Sequence, residues 1–155
     1  MTSAPVILDQ QEQQLPELLD YSAIGFLVLD TLCHAAPPTL PPPGGASFVQ
    51  RIRMTPAGTA GGTAMICGIL LGKGRGQLVA RVANDDAGNF LLHKLQDAHH
   101  VNTDLITKVD ATNTMQTSCS MLPIQKTAER AAFFCPGTSS TFTIDMTDQA
   151  LVDNS

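Results

Sequence analysis

Residues 22–32, SAIGFLVLDTL, decide the fold that this sequence predicts. The run is almost continuously apolar and contains Phe, Val and Ile, which is typical of a strand buried on both faces, in a parallel sheet covered by helices. Strands and helices also alternate along the rest of the chain, and this alternation predicts an α/β fold. Further strands are expected over residues 46–54, 77–82, 114–124 and 131–135, and helices over residues 63–71, 86–99 and 145–151.

The composition is that of one folded domain. The chain has 155 residues, of which 43% are hydrophobic and 15% charged, and this is too apolar for a disordered chain. Its net charge of −5 gives no general attraction to nucleic acid or to an anionic membrane. No apolar run approaches the roughly 20 residues of a transmembrane helix, and the first residues lack the basic region of a signal peptide. We therefore expect a cytoplasmic domain over residues 22–155, preceded by an acidic leader over residues 1–21.

The four cysteines, Cys33, Cys67, Cys119 and Cys135, are widely spaced and form no CxxC pair. Under a functional interpretation, the cysteines would form a metal site or two disulfides. Under a structural interpretation, they are reduced thiols in a reducing compartment. The structural interpretation is favoured, because each cysteine lies in an apolar or strand-like context. The histidines within residues 93–100 are interpreted as surface residues, so the sequence predicts no metal site.

A second informative stretch is residues 56–64, PAGTAGGTA, which directly precedes a predicted helix. Its three glycines and small alanines leave backbone N–H groups uncovered at a helix N-terminus, where anions and hydroxyl oxygens bind. The pattern is neither a Walker A motif nor GxGxxG. On local grounds it indicates equally well the close packing of a helix on a strand through small residues.

Asp30 stands near the C-terminal end of the first apolar run. Open α/β sheets place their ligands at the carboxyl ends of strands, and a carboxylate there can accept two hydrogen bonds from sugar or alcohol hydroxyls. The alternative is that Asp30 caps a turn over residues 31–34. The residues alone leave both interpretations open.

A series of segments, in this order, resembles the N-terminal half of the ribokinase or PfkB-type carbohydrate kinases, over about residues 22–151. RVANDDAG resembles the family's R-V-G-x-D-x-x-G, and ERAAFFCPG resembles its E-R-x-x-x-x-x-P-G. The segments are GFLVLD (25–30), ASFVQRIRM (46–54), PAGTAGGTA (56–64), RVANDDAG (81–88), HVNT (100–103), QTSCSML (116–122) and ERAAFFCPG (129–137).

This resemblance implies a ribokinase-like, three-layer α/β/α fold of Rossmann-like arrangement with a small β lid, incomplete at its C-terminal side. The lid is expected over about residues 46–54 and part of residues 114–135, and a homodimer through the lid is expected as well. The implied reaction is the transfer of the ATP γ-phosphate to a hydroxymethyl group of a sugar or related small alcohol. ATP and Mg²⁺ are the cofactors expected for the complete enzyme.

The resemblance also implies a set of substrate-binding residues. Asp30 would bind substrate hydroxyls, and Gly58, Thr59 and Gly61 would offer backbone or side-chain contacts. Gly62, also in this set, stands where the family has an Asn that contacts the substrate. One side-chain hydrogen bond to the substrate is therefore expected to be missing here.

The family's catalytic G-A-G-D motif, whose Asp is the base, has no match in this sequence. Deprotonation of a hydroxyl needs a base within hydrogen-bond reach, so we expect no catalytic residue in this chain and no ATP or Mg²⁺ bound by it alone. Activity would require a C-terminal half or a second chain. The leading hypothesis is the substrate-binding portion of such a kinase. The alternatives are a catalytically inactive ribokinase-like module that binds a ligand or scaffolds a partner, and an unrelated α/β domain.

Overall fold

The computed structural model describes residues 21–112 and 115–143, in which two sheets, two α-helices and two shorter helical turns are formed. The helices are α1, Thr59–Leu71, and α2, Asp86–His93, which continues into a π-helical turn, Lys94–Ala98. A 3₁₀ turn, Gly137–Thr141, follows the last strand. The strands are β1 Tyr21–Ile24, β2 Val28–His34, β3 Arg51–Ala57, β4 Gly76–Ala83, β5 Ile106–Val109, β6 Cys119–Ile124 and β7 Phe133–Cys135.

The first sheet contains β1, β4 and β5 in that spatial order, and neighbouring strands are parallel. Crossovers between neighbouring parallel strands are right-handed, so α1 and α2, which connect successive strands of this sheet, lie on the same face. The apolar core forms there. Leu78, Ala80 and Val82 alternate along β4 and pack in one buried cluster with Ala64 of α1 and Leu91 of α2.

The second sheet contains four strands in the order β3-β2-β6-β7. Its central strand β2 pairs antiparallel with β3 and parallel with β6, and β6 pairs antiparallel with β7. Leu29 of β2 reaches the core cluster of the first sheet, so the two sheets are joined at that point. The rest of the second sheet extends beyond the core and carries the candidate site.

The apolar run over residues 22–32 forms two strands rather than the single strand that the sequence predicts. The chain leaves the first sheet at Gly25, whose φ of +138° lies in the region that favours glycine. Both strands are apolar because Ala23 and Leu29 bury in the same core cluster, and hydrophobicity therefore does not mark the break. As a result Asp30 lies within β2 of the second sheet, and the prediction that it ends a strand of the parallel sheet is wrong.

Other elements are confirmed with different bounds. Helix α1 begins at Thr59 rather than at residue 63, because Gly61 and Gly62 are helical. Strand β3 covers Arg51–Ala57, so the strand expected over residues 46–54 is displaced towards the glycine-rich turn. Helix α2 begins at Asp86, as the sequence predicts, and Asp85 caps it by accepting a hydrogen bond from Gly88 N.

Other parts of the chain differ from the sequence prediction or lie outside the described residues. The sequence predicts neither the short strand β5, Ile106–Val109, nor the 3₁₀ turn, Gly137–Thr141. The helix expected over residues 145–151 and nearly all of the leader expected over residues 1–21 lie outside the described residues. The domain and lid boundaries therefore stay predictions.

No described helix combines the length and the apolar character that crossing a membrane requires.

Candidate functional site

The candidate site is a cavity of about 370 Å³ between the start of α1 and one face of the second sheet. Five polar or glycine positions line it: Asp30, Gly58, Thr59, Ser120 and Arg130. Apolar side chains complete its wall, and they are Phe26, Val28, Leu122, Phe134, Ala131 and Ala132. The cavity thus brings three of the sequence-predicted residues together with others that the sequence did not single out.

Strand register places these side chains on one face of the second sheet. Asp30 of β2 lies opposite Ser120 of β6, and Ser120 lies opposite Phe134 of β7. Since side chains alternate between the two faces of a strand, Val28 and Leu122, each two residues away, point to the same side. The sheet therefore presents a carboxylate and a hydroxyl within an apolar surface.

Asp30 is held by a side-chain hydrogen bond. Ser120 Oγ donates to Asp30 Oδ1 at 2.6 Å, while Asp30 itself is half-buried. None of the described residues donates a hydrogen bond to Asp30 Oδ2. A carboxylate has about four acceptor positions, so Asp30 is oriented by Ser120 and keeps acceptor capacity for a hydroxyl in the cavity.

The start of α1 faces the cavity with a cap position that only glycine fits. Gly58 is the cap residue, with φ of +87°, and a Cβ there would lie 2.4 Å from the carbonyl oxygen of Phe26. The N–H groups of Ala60 and Gly61 both donate to that same oxygen at 3.2 Å. The sequence predicts uncovered N–H groups at this helix N-terminus, and for these two groups that prediction is wrong, since Phe26 satisfies them.

Gly61 and Gly62 are not among the residues that line the cavity. A Cβ at Gly61 would lie 2.6 Å from Leu27 Cδ1, whereas a Cβ at Gly62 would meet nothing within 4 Å. Leu27 is fully buried, so helix packing explains the glycine at position 61. Contact of either glycine with a substrate stays a prediction.

Asp85 is not among the residues that line the cavity, and both of its carboxylate oxygens accept hydrogen bonds. Its Oδ1 accepts hydrogen bonds from Gly88 N at 2.8 Å and from Thr117 Oγ1 at 2.6 Å, and its Oδ2 accepts from Thr117 N at 2.8 Å. Burial raises the pKa of the Asp85 carboxyl, but the hydrogen bonds from Thr117 and Gly88 outweigh burial, and the pKa is lowered from its ordinary value. Asp85 therefore joins the start of α2 to the segment leading into β6.

The other titratable candidates lie elsewhere. His93 Nδ1 pairs with Asp97 at 2.7 Å on an exposed face of α2. Burial, followed by the positive charges of Lys94, His100 and Arg53, lowers the pKa of His99. Within residues 21–112 and 115–143, no three His, Cys, Asp or Glu side chains converge to hold a metal ion. We therefore assign no Mg²⁺ ligand in this part of the chain.

Sequence reasoning missed Ser120, Arg130 and Phe134 as site residues. Ser120 lies in QTSCSML, and Arg130 and Phe134 lie in ERAAFFCPG, two segments that contribute no residue to the predicted substrate-binding set. The signal that could have found them is strand order. Once β6 is placed beside β2, the register puts Ser120 next to Asp30 and Phe134 next to Ser120.

Together these features define a ribokinase-like α/β protein with a carboxylate-bearing cavity. A scan against protein-family models finds no match, and a search of curated proteins finds none. Solved structures do match. Ribokinase from Giardia lamblia is similar with a TM-score of 0.67 at 16% identity, over 84% of this chain and 37% of that chain.

Two further matches carry ligands. Ribokinase from Arabidopsis thaliana, solved with ribose and ATP, is similar with a TM-score of 0.62 at 18% identity, over 79% of this chain and 36% of that chain. Fructokinase from Xylella fastidiosa, solved with bound ATP, is similar with a TM-score of 0.60 at 21% identity, over 85% of this chain and 37% of that chain.

Identities this low show the fold alone. The chain has a ribokinase-like α/β fold and spans little more than a third of the length of these sugar kinases. The resemblance to part of a ribokinase or PfkB-type carbohydrate kinase is thereby confirmed at the level of the fold.

Proposed function

We propose that this chain is the substrate-binding and lid portion of a sugar or small-alcohol kinase, which transfers the ATP γ-phosphate to a hydroxymethyl group. The observation that carries the proposal is the cavity in which Asp30, held by Ser120 at 2.6 Å, faces the Gly58–Thr59 start of α1. The ribokinase-like fold supports the same assignment.

The lining residues support polyol binding by their chemistry. An ionised Asp30 accepts hydrogen bonds from hydroxyl groups, and such charge-assisted bonds are stronger than neutral ones. Thr59 and Arg130 add donors at the rim. Phe26 and Phe134 give apolar surface against which the carbon face of a sugar ring packs and from which water is displaced.

The second sheet, β3-β2-β6-β7, acts as the lid in this proposal. It forms one wall of the cavity, so its movement relative to α1 would open or close the site. The same proposal includes three further points. Two lids pair in a homodimer, the complete enzyme binds ATP and Mg²⁺, and a C-terminal half or a second chain completes the site. Family members solved with ATP or ADP support the use of ATP.

Titration calorimetry with D-ribose and D-fructose tests the sugar-binding role of Asp30. Asp30→Asn keeps the shape of the side chain and removes its charge, so sugar affinity is expected to fall by roughly 1.5–3 kcal/mol, or about tenfold to a hundredfold. Thr31→Ala is the matched control, because Thr31 is the next residue of β2 and faces away from the cavity. Equal affinities of the wild type and Asp30→Asn would contradict the assignment.

The second candidate function is a catalytically inactive ribokinase-like module that binds a small ligand or scaffolds a partner. It is favoured by the hydrogen bond that Asp30 accepts from Ser120, since Asp30 is the only acid among the described residues that line the cavity. Sugar binding without sugar-dependent ADP formation, in the presence of every chain that co-purifies with this one, would select the inactive module. ADP formation that needs a partner chain would select the kinase portion.

A further inference from the structure

Two cysteines face each other across the antiparallel strands β6 and β7. Cys119 and Cys135 are direct partners in the register, followed by Ser120 with Phe134. Both cysteines are partly exposed, and neither is in a disulfide. Directly opposed residues of an antiparallel pair have Cα atoms about 4.5–5.5 Å apart, which lies within the range that a disulfide spans.

The side chains are also in contact. Besides burial, the Cys135 thiol is near enough to Cys119 to raise the pKa of Cys119, and Gln116 Nε2 donates to Cys135 Sγ at 3.0 Å. The other two cysteines lack such a partner: Cys33 lies opposite Ile52 and Pro123, and Cys67 lies in α1. Four residues along β2 separate Cys33 from Leu29, the register partner of Cys119, a distance of roughly 13 Å.

We propose that Cys119 and Cys135 are a reversible oxidation site, which low-molecular-weight disulfides such as glutathione disulfide convert to a cross-strand disulfide. In the first step a thiolate attacks glutathione disulfide, forms a mixed disulfide and releases one glutathione. In the second step the other cysteine thiolate attacks the protein sulfur and releases the second glutathione. The two protein thiols lose two electrons and two protons, and one glutathione disulfide becomes two glutathione thiols.

The surroundings indicate the order of attack. Burial, and then the neighbouring Cys135, raise the pKa of Cys119, so Cys119 forms the attacking thiolate poorly. Cys135 lies at the end of β7, where Gln116 donates to its sulfur. Cys135 therefore forms the mixed disulfide, and Cys119 resolves it. Because thiol–disulfide exchange is reversible, reduced glutathione returns the dithiol.

The disulfide would lie on the face of the second sheet that points away from the cavity. Side chains alternate along a strand, so the cysteine pair lies on the face opposite to Ser120 and Phe134. A covalent link at Cys119 and Cys135 fixes the spacing of β6 and β7 immediately beside the pair that lines the cavity. The chemistry of the cysteine pair does not depend on which ligand the cavity takes.

Peptide mapping tests the proposal directly. The chain is incubated with glutathione disulfide, free thiols are blocked with N-ethylmaleimide, and trypsin cuts after Lys108, Lys126 and Arg130. Cys119 then lies in peptide 109–126 and Cys135 in peptide 131–155. We expect one species joining these two peptides, lighter by two hydrogens than their sum, which dithiothreitol abolishes.

The variant C33S/C67S keeps the opposed pair and is expected to form the linked species at the wild-type yield, whereas C119S and C135S lose it. In urea the rate of linkage is expected to fall by about tenfold or more, because a flexible loop presents the second thiol at only a millimolar effective concentration. Equal rates in the folded and unfolded chain would overturn the proposal. So would separate glutathione adducts on both peptides, predominant links to Cys33 or Cys67, or no oxidation of the folded chain.

Discussion

Two neighbouring glycines of α1 differ in the space around them, so their substitution separates the effect of side-chain packing from that of helix propensity. A Cβ at Gly61 would lie 2.6 Å from the buried Leu27 side chain, and a Cβ at Gly62 would meet nothing within 4 Å. Gly62→Ala is expected to stabilise the fold by up to about 1 kcal/mol, since Ala favours a helix over Gly. Gly61→Ala is expected to destabilise it by about 1–3 kcal/mol through overpacking. Urea unfolding of both variants measures the difference.

An equal effect of the two substitutions would contradict this account of Gly61. A third variant, Gly58→Ala, extends the test. Gly58 has a φ of +87°, and a Cβ there would lie 2.4 Å from the carbonyl oxygen of Phe26. We expect Gly58→Ala to lose more stability than Gly61→Ala, because the obstacle is a backbone atom, which cannot rotate away as a side chain can.

Residue identity predicted part of the site. Asp30, Gly58 and Thr59 follow from their residue types and their resemblance to a family pattern, and the structure brings all three to one cavity. Ser120 and Arg130 could not be found in this way, because a Ser in a strand and an Arg in a turn are common on any surface. Their place beside Asp30 depends on the pairing of β2 with β6, across 90 residues of sequence.

Among the secondary-structure elements, the Asp85 carboxylate joins the start of α2 to the segment that leads into β6. Asp85 caps the helix through Gly88 N and accepts two hydrogen bonds from Thr117. Asp85→Ala is expected to destabilise the fold by about 2 kcal/mol or more at neutral pH. This value combines loss of a helix cap with an unpaired, buried Thr117 N–H.

The same contact predicts a pH dependence. The pKa of Asp85 is lowered in the folded state, so the stabilisation is complete above the unfolded pKa of about 3.9 and is lost as the pH falls through the lower, folded pKa. The difference in free energy of unfolding between wild type and Asp85→Ala should therefore shrink below about pH 4. Asp86→Ala, at the exposed neighbouring position, is the control and should change little. A difference that is constant with pH would refute the role of the charge.

The sequence predicted a helix or strand correctly where its hydrophobic pattern reflected burial in a single sheet or on a single helix face. Strand β4 is buried along nearly its whole length, and α2 begins directly after Asp85, whose side chain caps it. The run over residues 22–32 misled, because β1 and β2 bury in the same core although they belong to different sheets. Helix α1 starts early because packing on Leu27 outweighs the low helix propensity of Gly61 and Gly62.

At the scale of the molecule, α1 exposes an apolar face. Ile66 and Leu70 are 56% and 76% exposed, although a helix apolar on all sides is normally buried. We expect the purified chain to self-associate, and Ile66→Gln with Leu70→Gln to weaken association by about 1–2 kcal/mol per side chain. Sedimentation equilibrium measures this, with Thr63→Gln on the same face as control. Association unchanged by the double variant would show that another surface is responsible.

The last prediction concerns catalysis by this chain alone. Phosphoryl transfer needs a base at the acceptor hydroxyl and donors at the γ-phosphate. Asp30 is the only acid among the described residues lining the cavity, and it is committed to Ser120 and, in our proposal, to substrate hydroxyls. The amides of Ala60 and Gly61 at the helix N-terminus are committed to Phe26. We therefore expect no sugar-dependent ADP formation by the purified chain with Mg²⁺–ATP and D-ribose or D-fructose.

Contaminating kinases are the main source of error in that assay, and Asp30→Asn purified in parallel controls for them. A contaminant gives the same ADP formation in both preparations, whereas activity of this chain falls with its sugar affinity. Stoichiometric sugar phosphate from the wild type, lost in Asp30→Asn, would mean either that Asp30 itself acts as the base or that a base outside the described lining residues reaches the cavity. The assignment of the chain as a substrate-binding portion would then fail, while its ribokinase-like fold, which rests on strand order and structural similarity, would stand.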